Sequence, residues 1–361
     1  MKFLEEYRNP RTIRALAEKI AQTTKSTWKI MEVCGGQTHS IMRYGLQEIL
    51  PKEIELIHGP GCPVCVTPQS ILDQAIEISR QAILCTFGDM LRVPGSRSSL
   101  MQARAEGSDV RVVYSPLDAL EIAKCDPRQA VVFLAVGFET TAPANALTVF
   151  QAEKQGISNY SLLQCHVRVP PAIEAILDSP DCRVDGFLAA GHVCTIMGTQ
   201  EYEVLAKKYR VPIVITGFEP VDILEGVWLC TEQLSKGQHL VENQYRRSVL
   251  SDGNLTAKRV LEEVFEKADQ QWRGLGEIPE SGFRLRKKYE AFDARLRFEF
   301  SQRSSSTSTC ISGDILKGVK KPPQCPEFGK KCTPRNPLGA PMVSSEGACA
   351  AYFAYREPHR G

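Results

Sequence analysis

The chain has 361 residues, with 44 Lys and Arg against 42 Asp and Glu, a formal net charge of +2. That length accommodates two or three domains, and so even a charge balance argues against a general nucleic-acid binder. No apolar run approaches the roughly 18 residues of a membrane helix, and the opening MKFLEEYRNP lacks the apolar core of a signal peptide, so the expectation is a cytoplasmic protein.

In chain order, the first 25 residues read as an amphipathic helix, with Leu4, Ile13, Leu16, Ile20 and Ala21 broadly on one face. Short apolar runs then alternate with helical stretches. Strands are expected at 28–33, 54–59, 82–87, 110–114, 130–136, 160–166, 184–190 and 211–217, with helical patterns between them at 69–80, 140–155 and 199–209. Continuous apolar strands separated by helices indicate buried parallel sheet. They predict two α/β units, of the Rossmann-like class. Gly137-Phe138-Glu139 and Gly217-Phe218-Glu219, each after a strand and before a helix, form a weak internal echo. After about 236 the pattern changes. Residues 255–270 look helical, and 301–347 are rich in Ser, Pro, Gly and Lys with few large apolar side chains. Such a stretch cannot offset its ordering entropy unless something fastens it.

The 13 cysteines are numerous for a reducing compartment, where spaced cysteines are more often metal ligands or reactive thiols than disulfides. Cys310, Cys325, Cys332 and Cys349, spaced C-x14-C-x6-C-x16-C, fall in or beside the weakly apolar stretch. Metal ligation would fasten it, because binding free energy becomes folding free energy. Four thiolates suit a [4Fe–4S] cluster or tetrahedral zinc. The spacing lacks the paired cysteines of a zinc ribbon and the C-x3-C-x2-C triad of radical SAM chemistry. Lys317, Lys320, Lys321, Lys330, Lys331 and Arg335 lie between the outer two and would offset a cluster's negative charge. The bland reading is a flexible tail with unrelated cysteines.

A second thiol group lies near the start. Cys34 ends the first strand in VCGGQTHSI, with His39 five residues on. Ligands in open α/β sheets bind beyond the carboxyl ends of strands, where Cys34 falls. Cys62 and Cys65 follow the second strand in GPGCPVC, a pair that can ligate metal or cycle between dithiol and disulfide. Its glycines and prolines predict a tight, exposed turn. Cys85, Cys125, Cys165, Cys182, Cys194 and Cys230 lack such context and read as packing or surface residues, and His58 and His166 as structural. Phe87-Gly88-Asp89, Glu139-Thr140-Thr141 and Gly191-His192-Val193 also follow strands. Each alone suits turn and cap chemistry, but their recurrence at the same strand ends suggests a shared cleft. There is no G-x-x-x-x-G-K-[ST] nucleotide loop.

Together CGGQTHSI (34–41), GPGCPVC (59–65), FGDMLRVPGS (87–96), GFETTAPANA (137–146), GHV (191–193), GFEPVDIL (217–224) and the four late cysteines resemble the HypD family of hydrogenase maturation factors, over nearly the whole chain. One departure is Gln37, where many members carry a histidine.

The resemblance implies two α/β domains of similar topology, placed at 27–127 and 128–238, and a mainly helical and irregular iron–sulfur domain built from 1–26 and 239–361. It implies a scaffold that, with the small partner HypC, holds the iron of the Fe(CN)2CO unit of [NiFe] hydrogenases. HypE, charged by HypF, delivers the cyanide. Residue by residue, Cys34 would ligate that iron, Cys62 and Cys65 would form the redox pair, and Cys310, Cys325, Cys332 and Cys349 would hold a [4Fe–4S] cluster. His39, His192, Glu346 and Asp89 would be polar helpers. A monomer that forms complexes with its partners is expected. The competing readings are an iron–sulfur-dependent thiol–disulfide oxidoreductase and a non-catalytic protein clamped by zinc.

Overall fold

The computed structural model describes residues 5–300 and 309–355. Leu4 of the expected first helix and residues 301–308 of the polar stretch lie outside that range.

Nine parallel strands form two sheets. The first runs β2-β1-β7-β8-β9, from Trp28–Glu32 (β1), Ile54–His58 (β2), Gly186–Ala190 (β7), Ile213–Thr216 (β8) and Val241–Asn243 (β9). The second runs β4-β3-β5-β6, from Ile83–Thr86 (β3), Val110–Val112 (β4), Val131–Gly137 (β5) and Tyr160–His166 (β6). Taken in their own chain order, the sheets share one topology, 2-1-3-4, with a fifth strand added in the first. This is the doubly wound α/β arrangement expected.

Alternation along the strands explains the burial. Ile30, Leu56, Leu188 and Val214 face one core of the first sheet, and Met31, Ile57, Phe187 and Ile213 face another. The second sheet does likewise, with Leu84, Val132 and Leu134 opposite Cys85, Phe133 and Ala135. Both faces are covered, so the strands read as unbroken apolar runs.

The sheets do not divide where the sequence suggested. β1 and β2 pair with β7–β9, while β3–β6 form a separate sheet inserted between them. The expected boundary at 127/128 therefore runs through the second sheet, and the first is assembled from two distant segments. The GFE echo follows strands at different positions in the two sheets, β5 and β8, so it is not a structural repeat.

The expected first helix spans Pro10–Thr23, capped by the Asn9 side chain, and lies against the helix Pro220–Lys236. Lys19 Nζ sits 3.4 Å from the Trp228 ring centroid, and Arg8 Nη2 donates to Glu219 Oε1 at 2.8 Å. The expected helix at 255–270 needs correction. It ends at Val264, and Phe265–Trp272 (β10) pairs antiparallel with Gly276–Leu285 (β11). FEKADQQW is rich in helix formers, but cross-strand pairing overrides that propensity, including an Arg284 Nε to Glu266 Oε1 ion pair at 2.7 Å. The third region thus carries a β-hairpin besides its helical and irregular parts. Beyond it, the four-cysteine segment is made of short turns and ends in the helix Ala348–Tyr355. That helix rests on Gly35–Arg43, where Tyr355 Oη lies 3.3 Å from His39 Nε2.

Among the described residues no helix is long and apolar enough to cross a membrane.

Candidate functional site

In each sheet the winding reverses once, between β1 and β7 in the first and between β3 and β5 in the second. Crevices at the carboxyl ends of such strands are where α/β proteins bind ligands. Here the two crevices open into one cavity of about 260 Å³. Cys34 follows β1 and His192 follows β7. Phe87 and Met90 follow β3, and Phe138, Thr140 and Thr141 follow β5. Gly61, Pro63, Val64 and Glu346 complete the lining.

Cys34 caps the helix Gly35–Arg43 and is 2% exposed. Its backbone N–H donates to Glu32 Oε2 at 2.9 Å, and its Sγ lies 3.7 Å from His192 Nδ1. Burial pushes the thiol above its ordinary pKa, and the charges of Glu32 and Glu346 add to this. Backbone N–H groups of Gln37 and Gly36 oppose it. His192 packs against Phe218, with ring centroids 5.2 Å apart. Burial lowers its pKa to about 4, so its imidazole is neutral near pH 7.

The Cys62–Cys65 pair is joined as a disulfide, with the two residues only 4% and 1% exposed. The expected exposed turn is therefore a buried one: Gly59, Pro60 and Gly61 are packed beneath the ends of β1 and β2. Gly61 shows why. A Cβ there would come within 2.1 Å of Cys34 N, and Gly35 N–H donates to Gly61 O at 2.8 Å. The close backbone approach brings the disulfide loop against the Cys34 loop.

Glu346 reaches the cavity from the four-cysteine segment. Its carboxyl pKa is raised, first by desolvation and then by the charge of Asp89. Asp89 is exposed and is not part of the cavity lining; it acts on Glu346 through its charge. His39 turns to the other side of its helix, with Nδ1 3.2 Å from Ser345 O. It joins the helix to the C-terminal segment and does not line the cavity.

One residue that matters here, Glu32, was not singled out in advance. Glu32 is fully buried and receives hydrogen bonds from Cys34 N–H, from Thr38 Oγ1, and from His58 Nδ1 at 2.7 Å. His58 is structural, as expected, but it holds the carboxylate that positions the Cys34 loop. His166 is likewise held inside, beside Asn145 and the cavity residue Thr141. Gln37 is buried, and its Nε2 donates to Ala189 O at 3.2 Å and Thr216 Oγ1 at 2.6 Å. It ties β7 to β8 instead of facing the cavity.

The four late cysteines are electrostatic neighbours. Cys349 is pushed well above the ordinary thiol pKa by burial and then by Cys310, Cys332 and Cys325. Cys332 is raised by the same causes and receives N–H bonds from Leu338, at 3.4 Å, and Gly339. Among the described residues no three His, Cys, Asp or Glu side chains converge as a formed metal group. The donor chemistry nonetheless fits a thiolate-held group, since four neighbouring cysteines whose ionised forms are disfavoured by burial and by one another are what a bound cation would stabilise as thiolates. A Cβ on Gly339 would fall 2.3 Å from Cys310 Sγ, so this backbone also lies tight against a sulfur. The short helix Pro63–Val66, which holds Cys65, packs on the turn Ala340–Met342 that follows Gly339. The two thiol groups are thereby linked through one packed contact.

Comparison with known proteins decides the family. A family profile described as "HypD: Hydrogenase formation hypA family" matches residues 11–356. The chain belongs to the HypD family. It is 48% identical to the hydrogenase maturation factor HypD of Rhodobacter capsulatus over 370 residues, covering 98% of each chain. It is 47% identical to that of Azotobacter vinelandii, covering 98% of this chain and 97% of the relative. It is 44% identical to that of Escherichia coli K12, covering 99% of both.

Proposed function

We propose that this protein is a hydrogenase maturation factor that holds, together with HypC, the iron on which the Fe(CN)2CO unit of [NiFe] hydrogenases is assembled. The observation that carries this reading is the meeting of Cys34, His192 and the Cys62–Cys65 loop at one cavity shared by the switch points of both sheets.

Iron bearing cyanide and CO is the cargo, and thiolates are suitable soft ligands for it. Cys34 supplies such a ligand once it loses its proton. Its surroundings keep the free thiol protonated, so iron and proton compete for the sulfur. The neutral His192 imidazole, 3.7 Å away, would relay that proton toward solvent as the metal arrives, since its lowered pKa keeps it from holding the proton itself. The apolar cavity walls, Phe87, Met90, Val136 and Phe138, exclude water from the metal. HypC, contributing a further thiolate, would close the cavity, and HypE would deliver cyanide to it.

Cys62 and Cys65 supply a two-electron couple beside the iron. Opening their disulfide takes two electrons and two protons, and re-forming it returns them. A [4Fe–4S] cluster on Cys310, Cys325, Cys332 and Cys349 would supply electrons singly to that couple. The same four thiolates would suit zinc, and acid-labile sulfide in anaerobically purified protein separates the two. Burial of Cys62 and Cys65 leaves little sulfur surface for a protein disulfide, which favours the scaffold over a general thiol–disulfide oxidoreductase.

The test is Cys34→Ser, purified anaerobically with HypC. The expected result is loss of the iron in excess of the four-cysteine centre, with the visible iron–sulfur absorbance unchanged. Retention of that excess iron at the wild-type level would overturn the reading.

A further inference from the structure

The turn of the β10–β11 hairpin carries Arg273, which no part of the reading above uses. Its backbone N–H donates to Val66 O at 2.7 Å, one residue beyond Cys65. Its Nη2 donates to Pro94 O at 3.1 Å. Its Nη1 is buried without a hydrogen-bond partner among the described residues. The next residue, Gly274, has φ +84 and lies against Gly313, three residues past Cys310; a Cβ on Gly274 would meet Gly313 Cα at 2.9 Å. The hairpin tip is thus wedged between the loop after the disulfide and the start of the four-cysteine segment.

An arginine stays charged at any ordinary pH, so this guanidinium is a fixed cation in a poorly solvated place. Burial disfavours its charge, and the opposing charges that favour it are Cys310 first and Asp73 second. Asp73 shares with Arg273 the lining of a cavity of about 600 Å³, but its carboxylate is engaged elsewhere. Ser96 N–H donates to its Oδ1 at 2.9 Å, and Ser96 Oγ donates to its Oδ2 at 2.5 Å.

We propose that Arg273 is a positioning residue for the four-cysteine centre: it is a half-buried cation, anchored on the disulfide loop, that offsets negative charge beside Cys310. This rests on the reading that those cysteines hold an iron–sulfur cluster. Reduction of such a cluster adds negative charge next to the guanidinium, so Arg273 favours the reduced form and makes the centre easier to reduce. The same anchoring ties the disulfide loop to the centre.

The experiment is a spectroscopically monitored redox titration of anaerobically purified full-length protein, with iron and acid-labile sulfide measured on each sample. Arg273→Gln is expected to keep its iron and sulfide but shift the one-electron equilibrium toward the oxidised form about tenfold, or 59 mV. Arg273→Lys, which retains the charge, is expected to restore most of the shift. Asp73→Asn removes the opposing charge while leaving Arg273 in place, and is expected to move the equilibrium the other way. Arg273→Met, which removes the charge but keeps the apolar stem, decides the matter if Arg273→Gln does not fold. A potential unchanged in the folded variants, with cluster content intact, would overturn the assignment of Arg273 alone. Wild-type protein without acid-labile sulfide would overturn the cluster reading and this inference with it.

Discussion

Glu139 sits in the loop after β5 between two residues that matter for the cavity, Phe138 and Thr140. Its side chain is buried, with Oε1 accepting from Val169 N–H at 2.9 Å and Oε2 without a partner among the described residues. Burial raises its pKa to about 7, against the pull of Arg168 and two backbone N–H groups. A carboxyl whose folded pKa lies above its unfolded value stabilises the fold while protonated, and that contribution is lost as pH rises through about 7. Between pH 6.5 and 8 the loss amounts to roughly 1 kcal/mol. His166 and His192, lowered by burial to about 3 and about 4, act with the opposite sign but mainly below pH 6.5. Urea midpoints should therefore fall across pH 6.5–8 in the wild type and stay flatter in Glu139→Gln; equal slopes would contradict the assignment. At this scale the sequence was informative where chemistry and motif coincide, as at Cys34 and His192. It was silent on Glu32 and Arg273. A lone carboxylate at the end of an apolar run looks like a strand terminus, and an arginine in a polar hairpin looks like a solvated turn. Only burial distinguishes them.

Among the elements, the disulfide loop departs most from expectation. Glycine and proline correctly indicated a turn, but a turn can be exposed or packed, and local composition does not say which. Its burial comes from a tertiary contact, Gly61 against the backbone of Cys34. Substituting Gly61→Ala must push these loops apart. The expected cost is about 1–3 kcal/mol of overpacking, visible as a lower urea midpoint, together with faster reduction of Cys62–Cys65 by an added thiol as the loop loosens. An unchanged midpoint and an unchanged reduction rate would show that the contact is not a constraint. The β10–β11 hairpin teaches a related lesson. Glu266, Lys267, Ala268 and Gln270 favour helix locally, and their strand state is set by partners such as Phe283 and Arg284, about ten to twenty residues away.

For the molecule as a whole, eight strands and the α/β class were legible because buried parallel strands advertise themselves as apolar runs. Their partition was not. Each run is compatible with either sheet, and pairing of β1 with β7, Ile30 opposite Gly186, leaves no local trace. Yet the insertion of one sheet within the other is what makes the site. The chain leaves the first sheet after β2, builds the second, and returns through β7, so that His192 arrives beside Cys34 and the switch points of both sheets face one cavity. The four-cysteine segment then closes over the same region, placing Glu346 in the cavity and Gly339 at Cys310. The most direct test of this arrangement is the infrared spectrum of the protein purified anaerobically in complex with HypC. Stretching bands of iron-bound cyanide and CO, absent when Cys34→Ser replaces the wild type, are the predicted result. A stable complex that contains iron–sulfur absorbance but shows no such bands, from cells that make active [NiFe] hydrogenase, would contradict it.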